Sequence, residues 1–325
     1  MTVLAIDIGG TKIAAALFTE EGTILKSEKV KLKGFKGKDA GSLITEQCSK
    51  YIEFASLAKN PVRSIGLSVP GIYYSDHGRV WAPNIPGWDR YPLLEEIKTI
   101  TEGIPVTIDS DRACHMLGEL WMGNARGCKD AIFIAVGTGI GAGILVDGEI
   151  LRGSRDIAGS IGWMALNRPF RKDYVDCGCF EYHASGEGLA RVAREYLEKE
   201  DEYRGELRGK IPEEISSRDI LSLFNEGDEL CRRVIEEAIE YWGMAVANLV
   251  SIFNPEKIIF GGGLFGPAKS LLPAIKSEAR RWAQPVSIRQ LEIENSALQE
   301  DAGLYGCAYL ALKSLSKLNK DEYVQ

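Results

Sequence analysis

The chain predicts an α/β protein built as two domains, and three observations carry that prediction. Residues 3–25 (VLAIDIGGTKIAAALFTEEGTIL) and 131–151 (AIFIAVGTGIGAGILVDGEIL) repeat one pattern: an apolar strand-like run, a Gly/Thr-rich turn, a second run of small and apolar residues, then an acidic-Gly turn. Strand-like runs alternate with stretches of helical period along the rest of the chain. With 325 residues, 45% hydrophobic and 26% charged, the chain is long for one core and fits two domains of ordinary size.

The elements follow in order. The first hairpin opens at Val3, and a polar stretch from Lys31 to Asp39 leads into a helix over roughly 40–58. Ser64-Ile65-Gly66-Leu67-Ser68-Val69 reads as a buried strand stopped by Pro70-Gly71, and Ser75-Asp76-His77-Gly78 signals a hairpin turn. Ala82-Pro83-Asn84-Ile85-Pro86-Gly87-Trp88 is too rich in proline for helix or central strand and reads as a loop. A helix near 92–102 and a strand at Pro105–Ile108 lead to Asp109-Ser110-Asp111, an acidic turn that opens a helix over 112–122.

The second half begins with the repeated hairpin and a long glycine-punctuated loop, 152–186. Ser216-Ser217-Arg218-Asp219 resembles a capping box ahead of Ile220-Leu221-Ser222-Leu223. Leu230, Val234, Ile235, Ala238, Trp242, Val246, Leu249 and Val250 recur at helical spacing over 228–253. Lys257-Ile258-Ile259-Phe260 is a short strand breaking into Gly261-Gly262-Gly263, and a last helix covers 302–317. The domain boundary is expected near 110–130.

Bulk properties exclude several classes. The net charge of −7 and the lack of any Lys/Arg run argue against nucleic-acid binding. No apolar run approaches the roughly 20 residues that span a bilayer. The chain enters a strand pattern at Val3 without a basic, cleavable leader, so a cytoplasmic location is expected. Seven cysteines at irregular spacing point to reduced thiols. Only His77, His115 and His183 are present, which leaves few candidates for a Cys–His or Ser–His–Asp mechanism.

Glycine turns expose backbone N–H groups to an anion, so the paired hairpins point to nucleotide-dependent phosphoryl transfer. In the first, Asp7 sits at a strand end facing Gly9, Gly10, Thr11 and Lys12. Asp7 either holds hydrated Mg²⁺ while Thr11 and the turn meet a phosphate, or simply bonds the turn backbone. The second turn offers Gly137, Thr138 and Gly139. Neither is a Walker P-loop, and strand pattern rather than helix follows Gly137-x-Gly139-x-Gly141-x-Gly143, which disfavours a dinucleotide fingerprint. Gly262 and Gly263 would let adenosine lie against the backbone, or merely form a strand-to-helix turn. Asp111 is either a general base for an attacking hydroxyl or a helix cap; the helix dipole there is expected to lower its pKa. Cys177 and Cys179, with His183, could be half of a zinc site, though the further ligands are lacking.

Taken jointly, the motifs resemble the ROK family of the sugar kinase/Hsp70/actin superfamily. The carriers are Asp7-Ile8-Gly9-Gly10-Thr11-Lys12, Ser68-Val69-Pro70-Gly71, the loop 82–88, Asp109-Ser110-Asp111, Gly137-Thr138-Gly139-Ile140-Gly141, Ala158-Gly159-Ser160-Ile161-Gly162-Trp163-Met164, Gly178-Cys179-Phe180-Glu181, Asn254-Pro255 with Gly261-Gly262-Gly263, and Asp301-Ala302-Gly303. They run in family order over almost the whole chain.

The resemblance implies an actin-like ATPase (ribonuclease H-like) fold with a duplicated core and a cleft. A small domain would be formed by 1–115 plus 300–325 and a large one by 116–299. It implies ATP with Mg²⁺ as cofactors, Asp111 as the base, and a sugar or sugar-like polyol as the substrate partner, met by Gly71, Asn84, Ser110, Ser160, Trp163 and Glu181. It suggests a homodimer. No helix-turn-helix precedes the first hairpin, which favours the kinase branch over the repressor branch.

Departures from the family pattern concentrate at the sugar end. Family glucokinases read E-x-G-H where this chain has Ser160-Ile161-Gly162-Trp163, and E-N-D-A-N-A where it has Asp109-Ser110-Asp111-Arg112-Ala113-Cys114. The zinc motif is broken too: Lys172 and Tyr174 stand where its first two cysteines belong, and only Cys179 aligns with a ligand. The family zinc is therefore not expected, and Trp163 is expected to fill its volume by packing. Loss of three polar contacts makes glucose a poor acceptor, since a site built to bond hydroxyls rejects mismatched partners. A ketose, cyclitol, deoxy sugar or substituted amino sugar is expected instead. A sugar or nucleotide sensor without activity, and an ordinary glucokinase tolerating the changes, are the alternatives.

Overall fold

The computed structural model describes the backbone of residues 1–32 and 34–322, so residues 323–325 of the expected first domain lie outside it. The first half contains β1 (Thr2–Ile8), β2 (Lys12–Thr19), β3 (Ile24–Lys31), α1 (Gly37–Leu57), β4 (Val62–Val69), β5 (Ile72–Tyr74), β6 (Arg79–Trp81), α2 (Leu93–Lys98), β7 (Val106–Ser110) and α3 (Asp111–Met122). The second contains β8 (Ala131–Val136), β9 (Ile140–Val146), β10 (Glu149–Ile150), α4 (Tyr174–Cys177), α5 (Cys179–Ala184), α6 (Gly186–Lys199), α7 (Ser217–Asn225), α8 (Glu229–Phe253), β11 (Lys257–Gly261), α9 (Leu272–Trp282), α10 (Ser287–Gln290) and β12 (Glu292–Asn295). A final helix, α11, covers Ala302–Glu322.

Two sheets share one plan. Their strand orders are β3-β2-β1-β4-β7 and β10-β9-β8-β11-β12. In each, an antiparallel hairpin (β1/β2, β8/β9) is extended on its other side by two parallel strands. The repeated sequence pattern is thus the start of a repeated sheet.

The chain divides into two compact units of nearly equal length: Met1–Gly127, Ile150–Ala158 and Glu300–Gln325 form one, Cys128–Glu149 and Gly159–Gln299 the other. The expected break after residue 115 would fall inside α3. That helix stays whole in the first unit because it packs along α11.

The contact between α11 and its neighbours is unusually close. A Cβ on Gly306 would overlap the Cys114 carbonyl of α3, one on Gly118 the Ala302 carbonyl, and one on Gly66 of β4 the Cys307 carbonyl. Small residues thus let α11 lie directly on α3 and β4, behind the strands that carry the site. Each unit has its own apolar core, centred on Leu4, Ile6, Leu67 and Tyr51 in the first and on Ile134, Phe260, Trp242 and Ile235 in the second.

Local differences from the sequence reading have simple causes. The helix expected over 92–102 stops at Lys98, where Thr99 N and Ile100 N bond back only three residues, to Glu96 O and Ile97 O; positive φ at Glu102 and Gly103 (47° and 86°) then turns the chain. The stretch 152–186 is not one loop: a 3₁₀ turn at Ile161–Trp163, α4 and α5 break it up. Ser216 and Asp219 form the expected capping box on α7. Among the described residues no helix is long and apolar enough to cross a membrane.

We expect Gly306→Ala to destabilise the fold by about 1–3 kcal/mol, the usual cost of overpacking. Urea unfolding followed by circular dichroism measures it.

Candidate functional site

In the first unit, strand register assembles the polar groups. Asp7 of β1 pairs with Ser68 of β4, which in turn pairs with Asp109 of β7, so three polar side chains stand in a row near the carboxyl ends of three parallel strands. Ligands of open α/β sheets bind beyond such ends. Ser68 Oγ donates to Asp7 Oδ1. Gly303 lies so close that a Cβ there would come within 2.7 Å of Asp7 Oδ2.

Asp109 is nearly buried and accepts both Nε and Nη2 of Arg152, at 3.1 and 2.5 Å, while its other oxygen accepts from Ser110 N at 2.8 Å. Ser110 closes β7 and caps α3, its Oγ accepting from Ala113 N at 3.3 Å. Asp111 is therefore the first residue of α3, not its cap, and its Oδ1 accepts from Arg112 N at 2.8 Å.

The expected lowering of the Asp111 pKa by the helix dipole is not found. Burial pushes it up, and the charges of His115 and Arg112 offset this only in part. Desolvation thus outweighs the helix end.

The remaining first-unit candidates surround this row. The turn closes with Gly9 N on Lys12 O at 2.9 Å and leaves the Thr11 side chain exposed. Gly10 is packed so tightly that a Cβ would meet Asn84 Cβ at 3.1 Å, which brings the expected phosphate turn and the expected sugar ligand side by side. Asn84 is exposed on a loop held by Trp88, whose buried indole donates to Gly37 O at 3.0 Å and stacks on Tyr91 at 4.5 Å. Gly71 is required by the fold, since a Cβ would overlap the Trp81 carbonyl; its own carbonyl accepts from Arg112 Nη2 at 3.4 Å. Lys12 does not point free into the site: its Nζ is 3.2 Å from Glu300.

In the second unit the glycine turn lines a cavity of about 400 Å³ together with Gly186, Ser217, Arg218, Gly263 and Leu264, a size suited to a small ligand. Gly137 N donates to Gly139 O at 2.9 Å, and Gly186 N, at the start of α6, donates to Gly137 O at 2.7 Å. Thr138 lines the cavity, and a helix N-terminus beside a glycine turn favours an anion. Of the glycine run after β11, Gly263 faces open space. Gly262 instead serves the backbone, with φ 86° and Val136 O 2.6 Å from where its Cβ would be. The sequence reading missed Arg218 and Gly186 as lining residues. The capping box at 216–219 was the available signal, but it marked a helix start without showing what the start faced.

Glu181, on α5, touches the same turn. Its Oε2 accepts from Ile140 N at 2.6 Å, and burial raises its pKa despite that bond. Ser160 opens the 3₁₀ turn, whose Trp163 N donates to Ser160 O at 3.2 Å. Trp163 is 57% exposed and fills no interior volume, contrary to expectation. Tyr174, Phe180, Tyr182 and His183 occupy the interior beside it in sequence. Among the described residues no group of three or more His, Cys, Asp or Glu side chains is placed to share a metal ion.

The chain is 32% identical over 325 residues to a glucokinase of Halalkalibacterium halodurans, covering 98% of this chain and 97% of that one. Its fold matches the ROK hexokinase of Thermus thermophilus (28% identity, TM-score 0.79, 98% and 100% of the two chains). It also matches a ROK family glucokinase from Streptomyces griseus solved with glucose and AMPPNP (28% identity, TM-score 0.77, 96% and 100%).

Family and fold together define an ATP-dependent carbohydrate kinase with the two-domain actin-like ATPase fold. The ROK family profile matches residues 3–314, and the chain belongs to that family.

Because the Asp111 pKa is raised on folding, the ionised carboxylate costs stability above the unfolded value near 4, and protonation at lower pH relieves that cost. Asp111→Asn is therefore expected to unfold at higher urea than the parent at pH 7. The gap should close as pH falls through the Asp111 pKa, which parallel titrations would measure.

Proposed function

We propose that Asp111 is the general base of this kinase. It takes the proton of an acceptor hydroxyl as that oxygen attacks the γ-phosphorus of ATP in line and the bond to ADP breaks. The observation that carries this reading is a half-buried carboxylate with a raised pKa at the first turn of α3, directly beyond the aligned ends of β1, β4 and β7. Raising the pKa brings a carboxylate closer to the basicity that proton abstraction needs.

On this reading Gly137, Thr138, Gly139 and Gly263 receive ATP at the glycine-lined cavity, with Gly262 shaping the turn. Gly9, Gly10 and Thr11 meet the transferred phosphate. Asp7, steadied by Ser68, fits a hydrated Mg²⁺, since that cation commonly keeps several waters and takes only one or two carboxylates. When bound, the metal neutralises phosphate charge. Lys12 acts through its ion pair with Glu300 rather than on ATP directly. Asn84, Gly71 and Glu181 orient the acceptor.

The acceptor we propose is a sugar or polyol other than glucose. Ser110 Oγ already accepts from Ala113 N as the α3 cap, and Trp163 presents an exposed indole where a hydroxyl-binding His is the family pattern. An aromatic face suits a less polar ring face or an acyl group. Glucose is the competing reading, favoured by the relative in Halalkalibacterium halodurans described as a glucokinase.

ADP release across glucose, fructose, N-acetylglucosamine, N-acetylmannosamine and myo-inositol separates the two. Highest kcat/KM on glucose would sink the non-glucose proposal. Asp111→Asn is expected to lower kcat by about 10²–10⁴-fold, and undiminished turnover would remove Asp111 from the mechanism. In the parent, kcat/KM should fall on the acid side as Asp111 is protonated, with an inflection above the ordinary aspartate range.

A further inference from the structure

We propose that His183 is a positioning residue for acceptor binding: its imidazole locks the short helix α5 to α8 and so holds the Glu181 carboxylate in place. The inference rests on the reading of Glu181 as an acceptor ligand.

The helix α5 has six residues, far too few to hold a helical shape alone. Its orientation must come from tertiary contacts. Residues two apart on a helix point in nearly opposite directions, because each step turns the chain by about 100°. Glu181 and His183 are such a pair. Glu181 reaches the end of the glycine turn at Ile140 N, while His183, only 6% exposed, meets α8 and α4 on the other side.

Both imidazole nitrogens are engaged. Nδ1 lies 2.9 Å from Glu237 Oε1, and Nε2 lies 2.8 Å from the Tyr174 hydroxyl. The ring stacks on Tyr241, with centroids 4.4 Å apart and planes within 10°. Further contacts brace these partners: Tyr196 donates to Glu237 Oε2 at 2.6 Å, and Asn167 Nδ2 donates to the Tyr241 oxygen at 2.7 Å.

One protonation pattern satisfies the whole set. Burial works against the Glu237 carboxylate, but hydrogen bonds from His183 and Tyr196 outweigh it and hold the group below its ordinary range. An ionised carboxylate only accepts, so Nδ1 must carry a proton. Burial pushes the Tyr174 hydroxyl up to about 12, so it keeps its proton and donates to Nε2. A ring hydrogen on Nδ1 facing Glu237 and the Tyr174 hydroxyl facing Nε2 fit both contacts, an arrangement assigned by the network.

This arrangement does not fit a zinc ion. The His183 nitrogens are committed elsewhere, and Cys177 Sγ contacts Gly178 O and Arg191 Nη1, each at 3.8 Å. Tyr174 stands where the family pattern has a cysteine and bonds His183 instead. A hydrogen-bonded cross-link between α4, α5 and α8 thus does the work of a metal cross-link. Such a buried network is directional, because removing one member strands the others without partners.

Steady-state kinetics of the full chain test the proposal, using ATP and the panel member turned over fastest, with glucose run alongside. His183→Ala is expected to raise acceptor KM by about tenfold or more while ATP KM stays within about twofold. Glu237→Ala should do the same, and Glu237→Gln, which keeps an oxygen for Nδ1–H, should restore near-parental KM. Adding Glu181→Ala to His183→Ala should bring little further loss, as expected for residues acting through one another.

An unchanged acceptor KM in folded His183→Ala, alongside a raised KM in Glu181→Ala, would overturn the positioning role. No effect from Glu181→Ala would instead overturn the reading of Glu181 itself. Elemental analysis finding one zinc per chain, lost in His183→Ala, would overturn the hydrogen-bonded cross-link. Should His183→Ala fail to fold, Tyr174→Phe removes a single hydroxyl from the same network. A rise of about threefold in acceptor KM supports the role, and no change defeats it.

Discussion

The parallel register of β1, β4 and β7 is the constraint on which the first unit's chemistry depends. One residue of slip would turn every side chain to the opposite face and scatter Asp7, Ser68 and Asp109. With the observed register they stand abreast, and the chain leaves β7 at Ser110 to begin α3 with Asp111. The glycines at 66, 118 and 306 let α11 lie against β4 and α3 without side-chain bulk between them.

Opposing influences meet at Asp111. A helix N-terminus and the charges of His115 and Arg112 favour the ionised form of Asp111, yet burial outweighs them and raises its pKa. Asp109, two residues earlier, is buried and accepts two bonds from one guanidinium. Neighbouring acids of the same turn thus have different partners: one is tied up in an ion pair, the other is held back from ionising.

The second unit repeats the sheet but not the chemistry. Its hairpin turn faces a cavity rather than a row of acids, and the segment between Ser160 and Ser185 carries Glu181 to the end of that turn. There a cluster of Tyr174, Tyr182, His183 and Tyr241, with Glu237 and Asn167, holds α5 by stacking and hydrogen bonds. Aromatic and polar contacts of this kind need close, fixed geometry, which suits a segment whose own helices are too short to stand alone.

By itself the sequence determined the alternation of strands and helices, the doubled hairpin, the cap at Ser216, and the residue types at the glycine turns. These are local matters, set by side-chain period and backbone freedom within a few residues. It also carried enough ordered motifs to reveal the family. Only the tertiary structure decided which glycines face a ligand cavity and which merely make room: Gly263 does the first, while Gly71 and Gly262 do the second. It likewise decided that Trp163 stands in the open, that His183 bonds Glu237 from 54 positions away, and that burial overrides the helix end at Asp111. Each depends on what distant segments bring to the same place, and no local spacing records that.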